Sequence, residues 1–591
     1  MSLTARQRSI HSKNGKKYAS FNKGKKGKKP NEGEYLVTNA PTDLRNISYP
    51  GGAVALGLLL TARVAAALWG HIGDCDETYN YWEPLHYLIY GSGLQTWEYS
   101  PVYAIRSYVP LWLFAIPAKL LAIICEPILL FYLIKSLLGI LSAVAEFMFY
   151  KAICFEFGVH VGRTWLALSL PAAGCFAAAP AMLPSAWSNA LSTAALACWW
   201  RKRNAAAILL TAANAILSWP FAALLGIPIA IDMLLLKRHV TDFFKWSAVA
   251  LMVFLGPMVL VDSWHYGRLV IAPWNIVAYN IFTEHGPDLY GVEPWTFYFI
   301  NGFLNFNLVW VLALSCPLLL AACRVLTSRA APRPAFCCPY WLSLMPLYLW
   351  LAVFMLQPHK EERFLYPVYS MIVLCGAISL DCLQKMWYAL SCELRTQRRR
   401  HYLTHTASLF WLCVLAAGFT GLSRIVALYN NYHAPMSILN SLPQTNADEI
   451  LYVCYGKDWY RAPSSFHLPD EGYRVRFIKS QFKGQLPAPF NDNWNATRLI
   501  QPHFNDHNEE SSLTYLKPSQ CLYLVDSDIG EANSLEPRYA SDNTTWEIID
   551  TKPILDAEKS HKIFRAFYLP FISNKHCVFA NLYLLKNRVA A

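Results

Sequence analysis

Apolar runs long enough to cross a bilayer recur from residue 51 to residue 422. In hydrocarbon a backbone must satisfy its own hydrogen bonds, so such a chain folds as a bundle of helices. After a first run at 51–70, the clearest are 108–124, 128–150, 164–182, 246–261, 303–323, 341–356, 366–383 and 405–422. The segment 185–200 is shorter and spans only with tilt. The segment 205–236 is too long for one pass, and Pro220 near its centre predicts a broken helix or two tight helices. Together these runs predict about ten to thirteen spans. Composition agrees: 55% of the 591 residues are apolar and 15% are charged, too few for the surface of a soluble protein this size.

Positive charge sets the expected topology. Residues 1–45 are polar, with lysines at 13, 16, 17, 23, 25, 26, 28 and 29, and read as a disordered basic tail held in the cytosol. The first apolar run begins too late for a convincing signal peptide. No folded module stands behind the tail, so anionic lipid is its expected partner rather than nucleic acid. Further basic patches at 201–203, 237–238, Arg324 to Arg333 and Arg395 to Arg400 belong on the same side. Residues 73–77, the loop around 358–363 and everything after 422 then face the other side, the lumen. Five candidate spans precede the 201–203 patch, an odd number, so one segment between 103 and 200 is expected not to cross fully.

After residue 430 the apolar runs shorten. LYVCYG at 451–456, YRVRFI at 473–478 and CLYLVD at 521–526 read as short strands between turns. The expected organisation is a multispanning domain at 46–430 followed by a folded lumenal domain at 431–591. Asn495 and Asn543 head acceptor sequons in that domain; Asn46 heads one that the topology places in the cytosol. Of the 16 cysteines, Cys454, Cys521 and Cys577 fall in it and can supply one disulfide, the pairing left open. Most of the others lie in or beside apolar runs and read as small packing residues. Cys337–Cys338 lacks a second pair at zinc spacing, and no nucleotide-binding fingerprint occurs.

Two charged clusters interrupt the apolar pattern: Asp74, Asp76 and Glu77 directly after the first run, and PHKEER at 358–363. Ionisable groups at the edge of a bundle are solvated, paired or used in chemistry. Carboxylates sharing a small space raise one another's proton affinity, and one of them can take a proton from an attacking hydroxyl. His359, Lys360 and Arg363 can hold a phosphate, with Glu361 and Glu362 orienting them. A base and a phosphate clamp in a membrane suggest transfer from a lipid phosphate. The plain alternative is two ordinary polar loops, and a transporter or a scaffold would also accommodate them.

GDCDETYNYWEPLHYLIYGSGLQTWEYSPVYAIRSY at 73–108 and PHKEERFLYPVYSMIVLC at 358–375 closely resemble the multispanning mannosyltransferases that use dolichyl-phosphate mannose, glycosyltransferase family 22. Relatives that build the glycosylphosphatidylinositol anchor, and the alpha-1,6 enzyme of N-glycan assembly, carry a proline before the acidic pair. Cys75 stands there in this chain, which favours the alpha-1,2 N-glycan branch. The resemblance implies a polytopic helical membrane protein of the GT-C glycosyltransferase fold, located in the endoplasmic reticulum with a lumenal site. It implies inverting transfer of mannose from dolichyl-phosphate mannose to dolichyl-diphosphate-linked Man6GlcNAc2 and Man8GlcNAc2. The family's acidic pair falls on Asp76 and Glu77, and its His-Lys-Glu-Glu-Arg motif on His359 to Arg363. Asp76 is the first choice for the base and Asp74 its rival. Arg106 is expected to add positive charge near the donor. No cofactor is implied and no metal-ligand set stands out. The lumenal domain is expected over the catalytic face, either selecting the glycan or acting as a cap.

Overall fold

The structure is a computed structural model and describes residues 47–283, 287–327, 338–393, 401–445, 450–493 and 495–589. The basic tail, the Asn46 sequon, Cys337, the 395–400 patch and most of the patch from Arg324 to Arg333 lie outside the described residues. Residues 49–591 form one compact unit.

Among the described residues, six helices are long and apolar enough to cross a membrane: Gly52–Trp69, Pro127–Glu156, Val240–Tyr266, Leu308–Leu326, Glu362–Ser391 and Ala407–Tyr432. Among the same residues, four shorter apolar helices are Val109–Leu121, Asn204–Ser218, Pro220–Leu236 and Tyr340–Leu356. The chain is therefore a multi-pass membrane protein. The segment 205–236 breaks at Trp219–Pro220 into two helices, as the proline requires. Leu113, Ile116 and Leu120 recur at helical spacing and are exposed, an apolar face that suits lipid contact. The span holding residues 362–391 is the most buried of the six.

The first two long helices run antiparallel. Gly52 lies against Phe147, while the Lys135 ammonium donates to the Gly70 carbonyl at 2.6 Å. Their close approach needs Gly139, where a Cβ would stand 2.6 Å from the Arg63 carbonyl oxygen. Between them Arg63 Nε pairs with Glu146 Oε2 at 2.9 Å, both side chains buried, and Arg63 donates again to the Ser169 carbonyl at 3.1 Å. Charges in a bundle interior persist only when paired in this way.

That arrangement corrects two sequence expectations. The 108–124 run is not a crossing. Helix Val109–Leu121 starts beside Tyr99 and is followed by Pro127–Glu156, whose early residue Phe131 packs on Trp82, so both its ends lie at the Trp82 end of the bundle. Its 13 residues rise only about 20 Å, short of the hydrocarbon thickness. The 164–182 run is not one helix but two pieces, Val159–Ser169 and Ala173–Ala178, bent around Pro171. Helix Ala407–Tyr432 fills the bend through Gly421, where a Cβ would meet the Pro171 carbonyl oxygen at 2.1 Å.

Beyond Tyr432 the chain builds a sheet from β2 (Leu451–Tyr455), β3 (Tyr473–Ile478), β5 (Tyr515–Leu516), β6 (Tyr523–Ser527), β7 (Trp546–Asp556) and β8 (Val578–Asn587). The strand order is β5-β3-β2-β6-β8-β7. The four from β5 to β6 are parallel, and β8 and β7 add antiparallel. Buried β6 reads Tyr-Leu-Val-Asp-Ser, the near-continuous run of a strand covered on both faces. Cys454 on β2 is bridged to Cys521 before β6, and Cys577 is free. A separate two-strand ribbon pairs β1 (Leu94–Gln95) with β4 (Ala488–Pro489), tying the post-420 region to the segment that follows the acidic cluster.

Candidate active site

The acidic cluster begins where the first long helix ends. Asp74 caps the short helix Cys75–Glu77, its Oδ1 accepting from the Asp76 backbone N–H at 2.9 Å. A π-helical turn over Thr78–Trp82 follows, then helix Glu83–Tyr90 with Pro84 in its first turn. π-turns recur at functional sites because they re-aim side chains within a continuous helix.

The second cluster meets the first. Arg363 opens the segment that leads into the buried helix Tyr369–Glu393. Its guanidinium donates to Asp74 Oδ1 at 2.8 Å and pairs with Asp76 Oδ2 at 2.6 Å. Glu361 makes a third ion pair with the same group, and its Oε1 lies 3.2 Å from His359 Nε2. His359 Nδ1 meets the Gly291 carbonyl at 2.7 Å. Arg106 also acts on Asp76 electrostatically; it is gripped by both Glu98 oxygens at 2.7 and 3.0 Å and by the Tyr81 hydroxyl at 2.7 Å. Sequence reasoning did not single out Glu98 or Tyr81; no spacing rule couples them to Arg106.

The neighbours pull the two aspartates apart. Burial pushes the Asp74 carboxyl up to about 7, against the pull of Arg363, with Asp76 and Glu361 adding to the rise. Burial also favours neutral Asp76, but Arg363 and Arg106 outweigh it and hold that carboxyl below the ordinary range. Burial opposes charging His359, yet its bonds to Glu361 and Gly291 raise its pKa overall. The same cluster thus drives its two aspartates in opposite directions.

Three members of the clusters point elsewhere. Glu77 is buried, and its Oε1 accepts from Trp82 Nε1 at 3.0 Å and from the Met182 backbone N–H at 2.9 Å. Lys360 is buried, and its ammonium donates to the Glu293, Gln357 and Pro358 carbonyls at 2.9, 2.5 and 3.5 Å. Glu362 accepts from Asn305 Nδ2 at 2.9 Å. The site core is therefore Asp74, Asp76, Glu361, Arg363 and His359, with Arg106 behind it. Glu77, Lys360 and Glu362 hold the backbone and the helices around it. Among the described residues, one set of ligand-type atoms lies close together: Asp74, Cys75 and Asp76, within 4.8 Å of one another. Arg363 already engages both carboxylates of that set.

The region after 430 packs directly on the acidic segment. Thr78 Oγ1 donates to the Ala462 and Pro463 carbonyls at 3.1 and 2.9 Å, and the Tyr79 hydroxyl to the Trp459 carbonyl at 2.5 Å. Buried Glu83 accepts from the Ser465 backbone N–H at 2.6 Å, the Ser465 hydroxyl at 2.9 Å and the Leu94 N–H at 2.9 Å. Trp97 and Tyr99 are buried, with the Tyr99 hydroxyl on the Asn80 carbonyl at 2.8 Å.

Residues 54–469 match the Alg9-like mannosyltransferase family. The chain belongs to that family. It is 46% identical over 555 residues to alpha-1,2-mannosyltransferase ALG9 of Homo sapiens, covering 92% of this chain and 90% of that one. It is 45% identical over 554 residues to alpha-1,2-mannosyltransferase Alg9 of Drosophila melanogaster, covering 92% and 89%. The crystal structure of ArnT from Cupriavidus metallidurans bound to undecaprenyl phosphate superposes with a TM-score of 0.50 at 12% identity, covering 84% of this chain and 95% of ArnT. The fold is thus GT-C, with a C-terminal sheet, and the family's activity is mannosyl transfer. The match ends within the 459–469 segment that packs on the acidic helix, so the family region includes that contact.

Proposed function

We propose that this protein is an inverting alpha-1,2-mannosyltransferase of the endoplasmic reticulum. It moves mannose from dolichyl-phosphate mannose to dolichyl-diphosphate-linked Man6GlcNAc2 and Man8GlcNAc2, with the site and the sheet domain in the lumen. One observation carries the reading: a single guanidinium, Arg363, joins both aspartates of the first cluster. A phosphate-binding cation and a proton acceptor therefore share one point. The relatives' names support the alpha-1,2 bond, and the undecaprenyl phosphate on ArnT supports a lipid phosphate donor.

The step is one displacement. The acceptor's 2-hydroxyl attacks the anomeric carbon of the beta-linked donor, the bond from that carbon to the phosphate oxygen breaks, and the hydroxyl proton passes to a carboxylate. The product is alpha-linked. The leaving phosphate departs as an anion, so the site needs cations around it rather than a strong acid. Arg363 and protonated His359 supply them. Asp76 takes the proton. Donor phosphate competes for the Arg363 donors that hold the Asp76 carboxyl down, so Asp76 becomes a stronger base when the donor is bound. Asp74 caps the short helix and fixes the approach of Arg363. Lys360 anchors the loop, and Glu361 orients His359 and Arg363.

Purified protein in detergent, given dolichyl-phosphate mannose as sole donor, should extend both lipid-linked acceptors with linkages cleaved by an alpha-1,2-mannosidase. Product only from an anchor precursor would refute the assignment, and vesicle transport without bond formation would replace it with a transporter.

A further inference from the structure

A donor carried on a common lipid phosphate says nothing about which glycan is to be extended, so that choice needs a second surface. This inference rests on the proposed mannosyl transfer and asks where the acceptor is read. The sheet contains a reversal of strand order. From β2 the chain moves to β3 on one side and later returns to β6 on the other. The carboxyl ends of β2 and β6 flank the crevice where open parallel sheets bind ligands.

The residues at that crevice are charged, aromatic and held from below. Asp458, directly after β2, is 0% exposed. Its Oδ1 accepts from the Ser527 hydroxyl at the end of β6 at 3.2 Å and pairs with Arg461, while Oδ2 has no hydrogen-bond partner. The Tyr455 hydroxyl is buried beside it, also without a partner. Lys457 pairs with buried Asp526 on β6 at 3.6 Å. Each cation is thus neutralised by a carboxylate, which argues against an anion site and for a neutral polar ligand. At the mouth Tyr460 is 46% exposed, with the Arg461 guanidinium 4.5 Å from its ring centre. A half-exposed aromatic ring beside two fixed donors, Lys457 and Arg461, matches a sugar, which presents C–H bonds to a ring and hydroxyls at its edge.

The same turn is fastened to the acidic segment. Trp459 accepts from the Tyr79 hydroxyl through its carbonyl and stacks on the Tyr79 ring with centroids 6.2 Å apart. Tyr79 lies three positions beyond Asp76, so the turn that carries Tyr460 is tied to the segment that carries the proposed base.

We propose that the Lys457–Arg461 turn is the acceptor-glycan subsite, with a mannose ring stacked on Tyr460 and its hydroxyls contacting Arg461 and Lys457.

Steady-state kinetics on the full-length protein with lipid-linked Man6GlcNAc2 test this, comparing Tyr460→Ala with Tyr460→Phe. Loss of one stacking contact predicts an acceptor KM about five- to tenfold higher for Tyr460→Ala. Donor KM and kcat should stay within about twofold, and Tyr460→Phe should stay close to wild type. Free Man6GlcNAc2 should inhibit the alanine variant more weakly. An unchanged acceptor KM, or acceptor and donor KM rising together, overturns the subsite. Wild-type protein that makes no product with either acceptor overturns the proposed function, and this inference with it. Melting temperatures of the two variants, at an exposed position, separate binding loss from unfolding.

Discussion

Arg363 donates to Asp74 at 2.8 Å although 289 positions separate the two residues. The contact joins the loop after the first membrane helix to the loop before the most buried one. It makes the site a junction between distant parts of the bundle rather than a local motif. The same guanidinium holds Asp76 at 2.6 Å, so one side chain bears on both candidate bases.

Asp76→Asn keeps the shape and removes the proton acceptor. Turnover on folded protein should fall at least about 10²-fold, the usual scale for a lost general base. Asp74→Asn should cost less, because the amide oxygen can still cap the Asp76 N–H. A larger loss at Asp74 would transfer the base to that residue, whose carboxyl, at about 7, is matched to neutral pH.

Arg363 and Lys360 should separate, although they sit three positions apart. Arg363→Gln leaves two carboxylates facing each other without their cation, and donor KM should rise more than acceptor KM. Lys360→Met leaves three backbone carbonyls without their donor and should lower the melting temperature, with donor KM nearly unchanged. If Lys360→Met raised donor KM as much as Arg363→Gln at equal stability, the anchoring role would be wrong.

Glu83 gives a pH test of how the sheet region docks. Burial raises its carboxyl to about 7, against three hydrogen bonds that pull it down. A carboxyl whose folded pKa exceeds its unfolded value binds its proton more tightly in the fold. Its stabilising effect is therefore present at low pH and is lost as pH rises from about 4.5 to about 7. The loss amounts to roughly 3 kcal/mol at most. Glu83→Gln cannot titrate, so wild type should lose melting temperature relative to it between pH 5 and pH 8. Parallel pH curves for the two proteins would count against the assignment.

Glycosylation should fall on Asn543 in the folded protein. Asn543 is exposed in the turn before β7. Asn495 is half-buried, and its sequon threonine, Thr497, is buried with its hydroxyl donating to the His265 carbonyl at 2.7 Å. In microsomes, Asn543→Gln should remove a glycosidase-sensitive mobility shift that Asn495→Gln leaves in place. A protease-sensitive tail in sealed microsomes, with no glycan on it, would place the whole region on the cytosolic side.

Hydrophobic runs and charge gave the membrane bundle, the break at Pro220 and the β-strands after 430, because burial and backbone satisfaction act along the chain locally. The same local reading put a crossing at 108–124, since an apolar helix that turns back has the composition of one that spans. It also expected one of Cys454, Cys521 and Cys577 to pair with another without saying which. Only the strand order decided for Cys454 and Cys521.

The sequence by itself singled out the two charged clusters as the candidate site, on residue types that suit a base and a phosphate clamp. The tertiary structure decided which of their side chains meet. Glu77 is adjacent to Asp76, and Lys360 lies three positions before Arg363, yet helical and loop geometry turn each pair in different directions. Asp76 and Arg363 reach the shared space, while Glu77 and Lys360 are consumed by backbone groups. Side-chain direction depends on which neighbour needs a hydrogen-bond partner once water is excluded, and those neighbours, Met182 and Glu293 among them, come from distant parts of the chain.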